Sequence, residues 1–141
     1  MYLLDTNVVS EIRKASTGKA DPHVVAWTQA IPNTLSYISV MTLFEIEIGI
    51  LSLDRRDGFQ AAALRRWMEE GVKYEFRDRM ISIDGAIALR CAACNVPNTR
   101  SLRDAFIGAT AFVRGYTLVT RNVRDFQGME LKIVNPWQPQ P

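Results

Sequence analysis

Short apolar runs divide this chain into strand-sized and helix-sized pieces, and their alternation restricts the fold more than any other feature. YLL (2–4), LSYIS (35–39), MISI (80–83), TLVT (117–120) and LKIV (131–134) are too brief for helices and have the length and residue types of strands. Between most of them lie segments of helical periodicity, and strands that alternate with helices build a mostly parallel sheet. The expected architecture is α/β, a single domain with a mostly parallel central sheet flanked by helices. In an open sheet of this kind, ligands bind beyond the carboxyl ends of the strands. Asp5, directly after the first run, and Asn122, just past the fourth, fall at that edge.

The helical segments have recognisable ends. After Asp5-Thr6-Asn7, the residues Val8, Val9 and Ile12 recur at helical spacing. Asp21-Pro22 opens a second helix, with Asp as the cap and Pro in the first turn. Residues 40–53 and 59–74 form two long helices joined only by DRRDG (54–58), a link short enough to make a helical hairpin. In the second of these, Phe59, Ala62, Ala63, Trp67 and Met68 share one side. Asp84 caps a helix over 86–95, and the helix that begins at Asp104 stops at Gly115, as a left-handed terminator should make it. No repeat or linker interrupts residues 1–137, which make the domain, and QPQP (138–141) reads as a disordered tail.

One residue disagrees with its surroundings. VMTLFEIEIGILSL (40–53) carries Glu45 in its middle; at about 100° per residue, Thr42, Glu45, Gly49 and Ser52 make a narrow polar or small stripe on a helix expected to be buried nearly all round. A carboxylate removed from water needs an ion, a hydrogen-bond donor or a metal as partner. Glu47 lies about 200° round the same wheel, and the wheel alone does not say which of the two is solvated. Asp5 and Asp104 also have ordinary readings, Asp5 as a helix N-cap and Asp104 as the partner of Ser101 in a capping box. Against the second stands the small face of Ala105, Gly108, Ala109 and Ala111, which lets this helix, and Asp104 with it, approach its neighbours closely.

Composition narrows the chemistry. A net charge of +2 is too small to signal nucleic-acid binding by itself, yet Arg supplies all but four of the 17 basic residues, and Arg suits bidentate phosphate contacts. Cys91 and Cys94 have no second CxxC to complete a zinc site and the single His23 is distant, so they read as buried free thiols. Thr17-Gly18-Lys19 lacks the glycine a phosphate loop needs at position 13, where Arg stands. No apolar run reaches the ~18 residues of a membrane span, and a cytoplasmic protein with no membrane partner is expected.

Should Asp5, Glu45 and Asp104 converge, with Asn122 and Asp125 nearby, repulsion would protonate some of them unless a cation sat between. With no His or Cys cluster to hand, that cation is Mg²⁺, or else Mn²⁺, ions that keep waters and meet phosphates. A metal held this way activates water for attack on a phosphodiester. Arg13, Arg100, Arg103, Arg121 and Arg124 flank these positions and suit a nucleic-acid backbone. A haloacid-dehalogenase-like phosphatase with Asp5 as nucleophile is a second reading, although its motif needs Asp where Asn7 stands; a non-catalytic RNA- or partner-binding domain is a third.

YLLDTNVVSEI, ISVMTLFEIEIGI, RDAFIGATA and LVTRNVRDF followed by NPW, in that order across the chain, resemble the PIN-domain proteins and are closely similar to the VapC and FitB toxins of type II toxin-antitoxin pairs. The resemblance implies a PIN-like nuclease domain and a Mg²⁺-dependent endoribonuclease whose metal is held by Asp5, Glu45 and Asp104, with Glu45 rather than Glu47 as the ligand. It implies Thr6 as a hydrogen-bonding support, a homodimer, and an antitoxin of the VapB or FitA type in the active-site groove; of the flanking arginines, Arg103, Arg121 and Arg124 are the expected RNA contacts. Many members have a fourth acid where this chain has Asn122, which leaves that role weakened or served by Asp125.

Overall fold

The computed structural model describes residues 1–140. Five strands, β1 (Tyr2–Leu4), β2 (Ser36–Ser39), β3 (Met80–Ile81), β4 (Thr117–Val119) and β5 (Ile133–Val134), form one sheet in the order β3-β2-β1-β4-β5. Every pairing is parallel, with Leu4 opposite Val119 and Ser39 opposite Ile81. The chain builds outward from β1 to β3 on one side, then returns to lay β4 and β5 on the other. The order therefore reverses between β1 and β4, and beyond their carboxyl ends lies the crevice where such sheets bind ligands.

Around the sheet lie α1 (Thr6–Arg13), α2 (Pro22–Ala30), α3 (Val40–Asp54), α4 (Gly58–Arg66), α5 (Lys73–Glu75), α6 (Gly85–Ala93) and α7 (Leu102–Arg114), with a π-helical stretch, Trp67–Val72, joining α4 to α5. Successive strand residues point to opposite faces, so Leu4 and Val119 enter a core with Val8, Ile46, Ile50 and Met68. Leu3 and Leu118 enter the other, with Ile87, Ile107, Phe126 and Met129. Cys91 is buried and Cys94 half-buried, both as free thiols, and burial pushes the Cys91 thiol pKa up.

The hairpin forms, since α3 and α4 pack together, but its burial differs from expectation. α3 buries one face, through Thr42, Ile46 and Ile50, while Phe44, Gly49, Leu51 and Ser52 are exposed. In the second helix the inward stripe is Ala61, Leu64, Met68 and Val72, whereas Phe59 is 88% exposed and Ala62 and Ala63 also face solvent. Both stripes recur every three or four residues and share Met68, and packing against α3 selected the one that adds Ala61, Leu64 and Val72. The strand at 80–83 is shorter than its apolar run, and α6 ends two residues before position 95.

α7 shows why small residues matter there. A β-carbon at Gly108 would stand 2.5 Å from Met129 Cε and 3.3 Å from Phe126 Cδ1, so the 123–129 segment rests directly on the helix backbone. Gly115 closes α7 in the left-handed region at φ 71°. In the expected tail, Gln140 Nε2 donates to Asn135 O at 3.1 Å and Gln138 O at 2.8 Å, and Pro141 lies outside the described residues. Among the described residues no helix is long and apolar enough to cross a membrane.

Candidate active site

Asp5 follows β1 at the crevice between β1 and β4 and is 5% exposed. It does serve as the N-cap of α1: in extended conformation, its Oδ1 accepts from Thr6 N at 2.8 Å. Its other oxygen is held separately, accepting from Thr120 Oγ1 at 2.8 Å and Asn7 Nδ2 at 3.3 Å. Capping and a site role are thus compatible, because a strand that runs straight into a helix puts the cap residue on the carboxyl edge of the sheet.

Glu45 reaches the same edge from α3. Its Oε1 lies 2.8 Å from Thr6 Oγ1, which is 3.0 Å from Thr42 Oγ1. A hydroxyl has one proton; Thr6 gives it to Glu45 and accepts from the buried Thr42. Glu47 points elsewhere and is spent in an ion pair and hydrogen bond with Arg65 of α4, which pulls the Glu47 carboxyl pKa down.

Asp104 stands in the first turn of α7. The alternative reading as a capping box is not met, since Ser101 forms no side-chain bond to the helix's first amides, although its side chain hydrogen-bonds to Asp104. Burial first, then the charges of Asp5 and Asp125, push the Asp104 pKa up against the opposing pull of Arg103 and the Ser101 hydrogen bond. Asp5 is raised too: burial outweighs the bonds from Thr120 and Thr6, and the charges of Glu45 and Asp125 add to it. Asp5 therefore sits in the field of Glu45 and Asp125, and Asp104 in that of Asp5 and Asp125. Among the described residues no three acid, His or Cys side chains draw together into a finished cage, so the group is an open acidic cluster whose members repel through space.

Thr120 and Asn7 carry the arrangement, and sequence reading passed over both. Thr120 is fully buried; it donates to Asp5 and accepts from Asn122 N at 3.0 Å and Asn7 Nδ2 at 3.4 Å. Asn7 Oδ1 accepts from Arg121 N at 3.3 Å. The available signal was a threonine ending a strand in register with the one that ends at Asp5. Asn122 is exposed and contributes its backbone N–H, and Asp125 is exposed on the following turn.

The arginines divide. Arg121 and Arg124 are exposed, Arg121 over the ring of Trp137. Arg103 has Nη1 3.8 Å from Glu45 Oε2 and stands over Phe44. Arg100 spends its guanidinium on backbone carbonyls. Arg13 lies over Trp67, at a cavity of about 720 Å³ between α1, α2 and the α4–α5 stretch, which Val9, Ile12, Trp27, Trp67, Val72 and Arg79 help to line. None of the site acids lines that cavity, which is a separate feature beside the acidic edge.

Residues 2–130 match the model of the PIN domain. The chain is 29% identical over 144 residues to the VapC ribonuclease Y4jK of Sinorhizobium fredii, covering 99% of each sequence. It superposes on the crystal structure of FitAcB from Neisseria gonorrhoeae with a TM-score of 0.84 and 28% identity over 98% of this chain and 99% of that one. A toxin-antitoxin complex from Klebsiella pneumoniae gives a TM-score of 0.65 and 26% identity over 96% of this chain and 98% of that one.

Proposed function

The chain belongs to the PIN-domain family, and on that premise we propose that it is the toxin of a type II toxin-antitoxin pair, an endoribonuclease that hydrolyses RNA phosphodiester bonds at the carboxyl edge of its sheet. The observation that supports this reading is that Thr6 bonds both Asp5 and Glu45 at the switch point, while Asp104 lies in the field of Asp5 and Asp125, and burial with this repulsion pushes Asp5 and Asp104 towards protonation. Such a group is relieved by a cation. Nucleases of this family work with a divalent metal ion, and a donor set made only of carboxylate and hydroxyl oxygens fits a hard one, Mg²⁺ or alternatively Mn²⁺.

Asp5, Glu45 and Asp104 would hold that ion. When bound, it supplies an activated water and neutralises charge on the phosphodiester. The chain's own residues do the rest. Thr120 and the Thr6 amide fix the Asp5 carboxylate from both sides, so its oxygens keep their direction when the ion and RNA arrive. Thr6 does the same for Glu45. Asn122 stands in place of a fourth acid and Asp125 supplies a charge beside it. Arg103, Arg121 and Arg124 contact the RNA backbone.

The partners follow from the same reading. An antitoxin of the VapB or FitA type covers the groove, with the neighbouring 720 Å³ cavity and its Trp27 and Trp67 receiving its apolar side chains. A second copy covers the exposed Phe44 and Leu51 of α3 and Phe59 of α4. The phosphatase alternative has no support, because Asn7 stands where its motif needs an acid and is bonded to Asp5, Thr120 and the Arg121 amide. Asp5→Asn and Asp104→Asn should each lower Mg²⁺-dependent cleavage of RNA by more than about a hundredfold while the chain still melts cooperatively. Full activity in both variants, in preparations free of other nucleases, would overturn the assignment.

A further inference from the structure

Arg100 differs from the other arginines around the acids because its fork is wholly engaged with the main chain. Nε donates to Cys94 O at 3.1 Å, Nη1 to Asp125 O at 3.3 Å, and Nη2 to Gln127 O. Its own N–H donates to Asn95 Oδ1 at 3.0 Å, and Asn95 Nδ2 donates to Cys91 O at 2.8 Å. Among the described residues no carboxylate lies within ion-pair distance of it. Gly128, at φ +82°, is fitted against the fork, since a β-carbon there would stand 3.0 Å from Nη2.

Position gives these bonds their meaning. Arg100 immediately precedes Ser101, the cap residue of α7, whose first turn bears Asp104. The carbonyl it holds at the far side is that of Asp125 itself. One planar group, with five donors in fixed directions, thus joins the start of the helix that carries one acid to the turn that carries another. We propose that Arg100 is a positioning residue of the nuclease site: by fastening the 122–128 turn to the start of α7, it sets where the Asp125 carboxylate stands relative to Asp104 and Asp5. The proposal rests on the reading of these acids as a metal site. Lysine cannot replace it, because a single ammonium does not span three carbonyls of fixed spacing.

The test is Mn²⁺ binding to the full chain without RNA, followed by the electron paramagnetic resonance of the free ion, beside RNA-cleavage kinetics. Arg100→Ala should weaken Mn²⁺ binding about tenfold, with kcat reduced and KM for RNA unchanged. Arg100→Lys should give most of the same loss. Where Arg100→Ala folds poorly, Arg100→Lys decides, since it keeps the charge and the length of the side chain and loses only the span across three carbonyls. In an Asp125→Asn background, Arg100→Ala should change Mn²⁺ binding less than about twofold, as expected of residues acting through one another. Unchanged Mn²⁺ binding in the single variants, an equal loss in both backgrounds, or a rise in KM at constant kcat would overturn it. Absence of Mn²⁺ binding by the unaltered chain would instead refute the metal reading first, and this proposal with it.

Discussion

At the scale of single residues, the fold places charge where it is costly. Asp104 in the folded chain has a pKa above its ordinary 3.8, through burial and the charges of Asp5 and Asp125. An acid raised on folding contributes nothing below the unfolded value; stability is lost as pH rises from there through the folded value, and the penalty is complete above it. Asp104→Asn should therefore melt higher than the unaltered chain at pH 7 in chelator, with the gain shrinking to nothing below about pH 3.8. Melting curves across that range check it, and a gain that persists in acid would mean that the acids do not burden the fold. Asp104 suits this test better than Asp5, whose two oxygens accept three hydrogen bonds, since Asn keeps only one accepting oxygen. Glu45→Gln should lower RNA cleavage more than about tenfold, whereas Glu47→Gln should leave it within about twofold, because Glu47 is engaged by Arg65. Equal losses in a cleavage assay would mean that α3 presents the wrong face. Periodicity could not separate the two glutamates: both lie in an apolar run, and what distinguishes them is which neighbour, Thr6 or Arg65, the packed fold brings up.

At the scale of elements, α7 is set by the absence of a side chain. Gly108→Ala would drive a methyl into the buried Met129, with Phe126 behind it. The helix-propensity gain of about 1 kcal/mol offsets only part of an overpacking cost of about 1–3 kcal/mol. We expect a lower denaturation midpoint at an unchanged slope, and a stabilised variant would show that the 123–129 segment is free to move. The small face from Ala105 to Ala111 was readable in the sequence; its partner was not, because Phe126 and Met129 lie on the far side of β4 in chain order. Two cap positions were readable for a physical reason: Asp21 and Asp84 each accept from the first amides of the helix they open. The hairpin's inward face was misjudged because both of its apolar stripes had the right period.

At the scale of the whole molecule, the sheet order explains why Asp5 feels Glu45 and Asp125, and Asp104 feels Asp5 and Asp125: the strand order reverses between β1 and β4, and the carboxyl edge there collects what each crossover delivers. The α3–α4 face remains open, with Phe44, Leu51 and Phe59 exposed. A patch of that kind is covered in a working assembly, and Leu51→Glu should convert a dimer into a monomer by light scattering, while an unchanged mass would place the interface elsewhere. The account depends most on the acids forming one metal site. Anomalous diffraction from crystals soaked in Mn²⁺ tests that directly. A peak bounded by the carboxylates of Asp5, Glu45 and Asp104, absent in Asp104→Asn crystals, is the predicted result; Mn²⁺ bound only elsewhere, in a chain that still cleaves RNA, would contradict it.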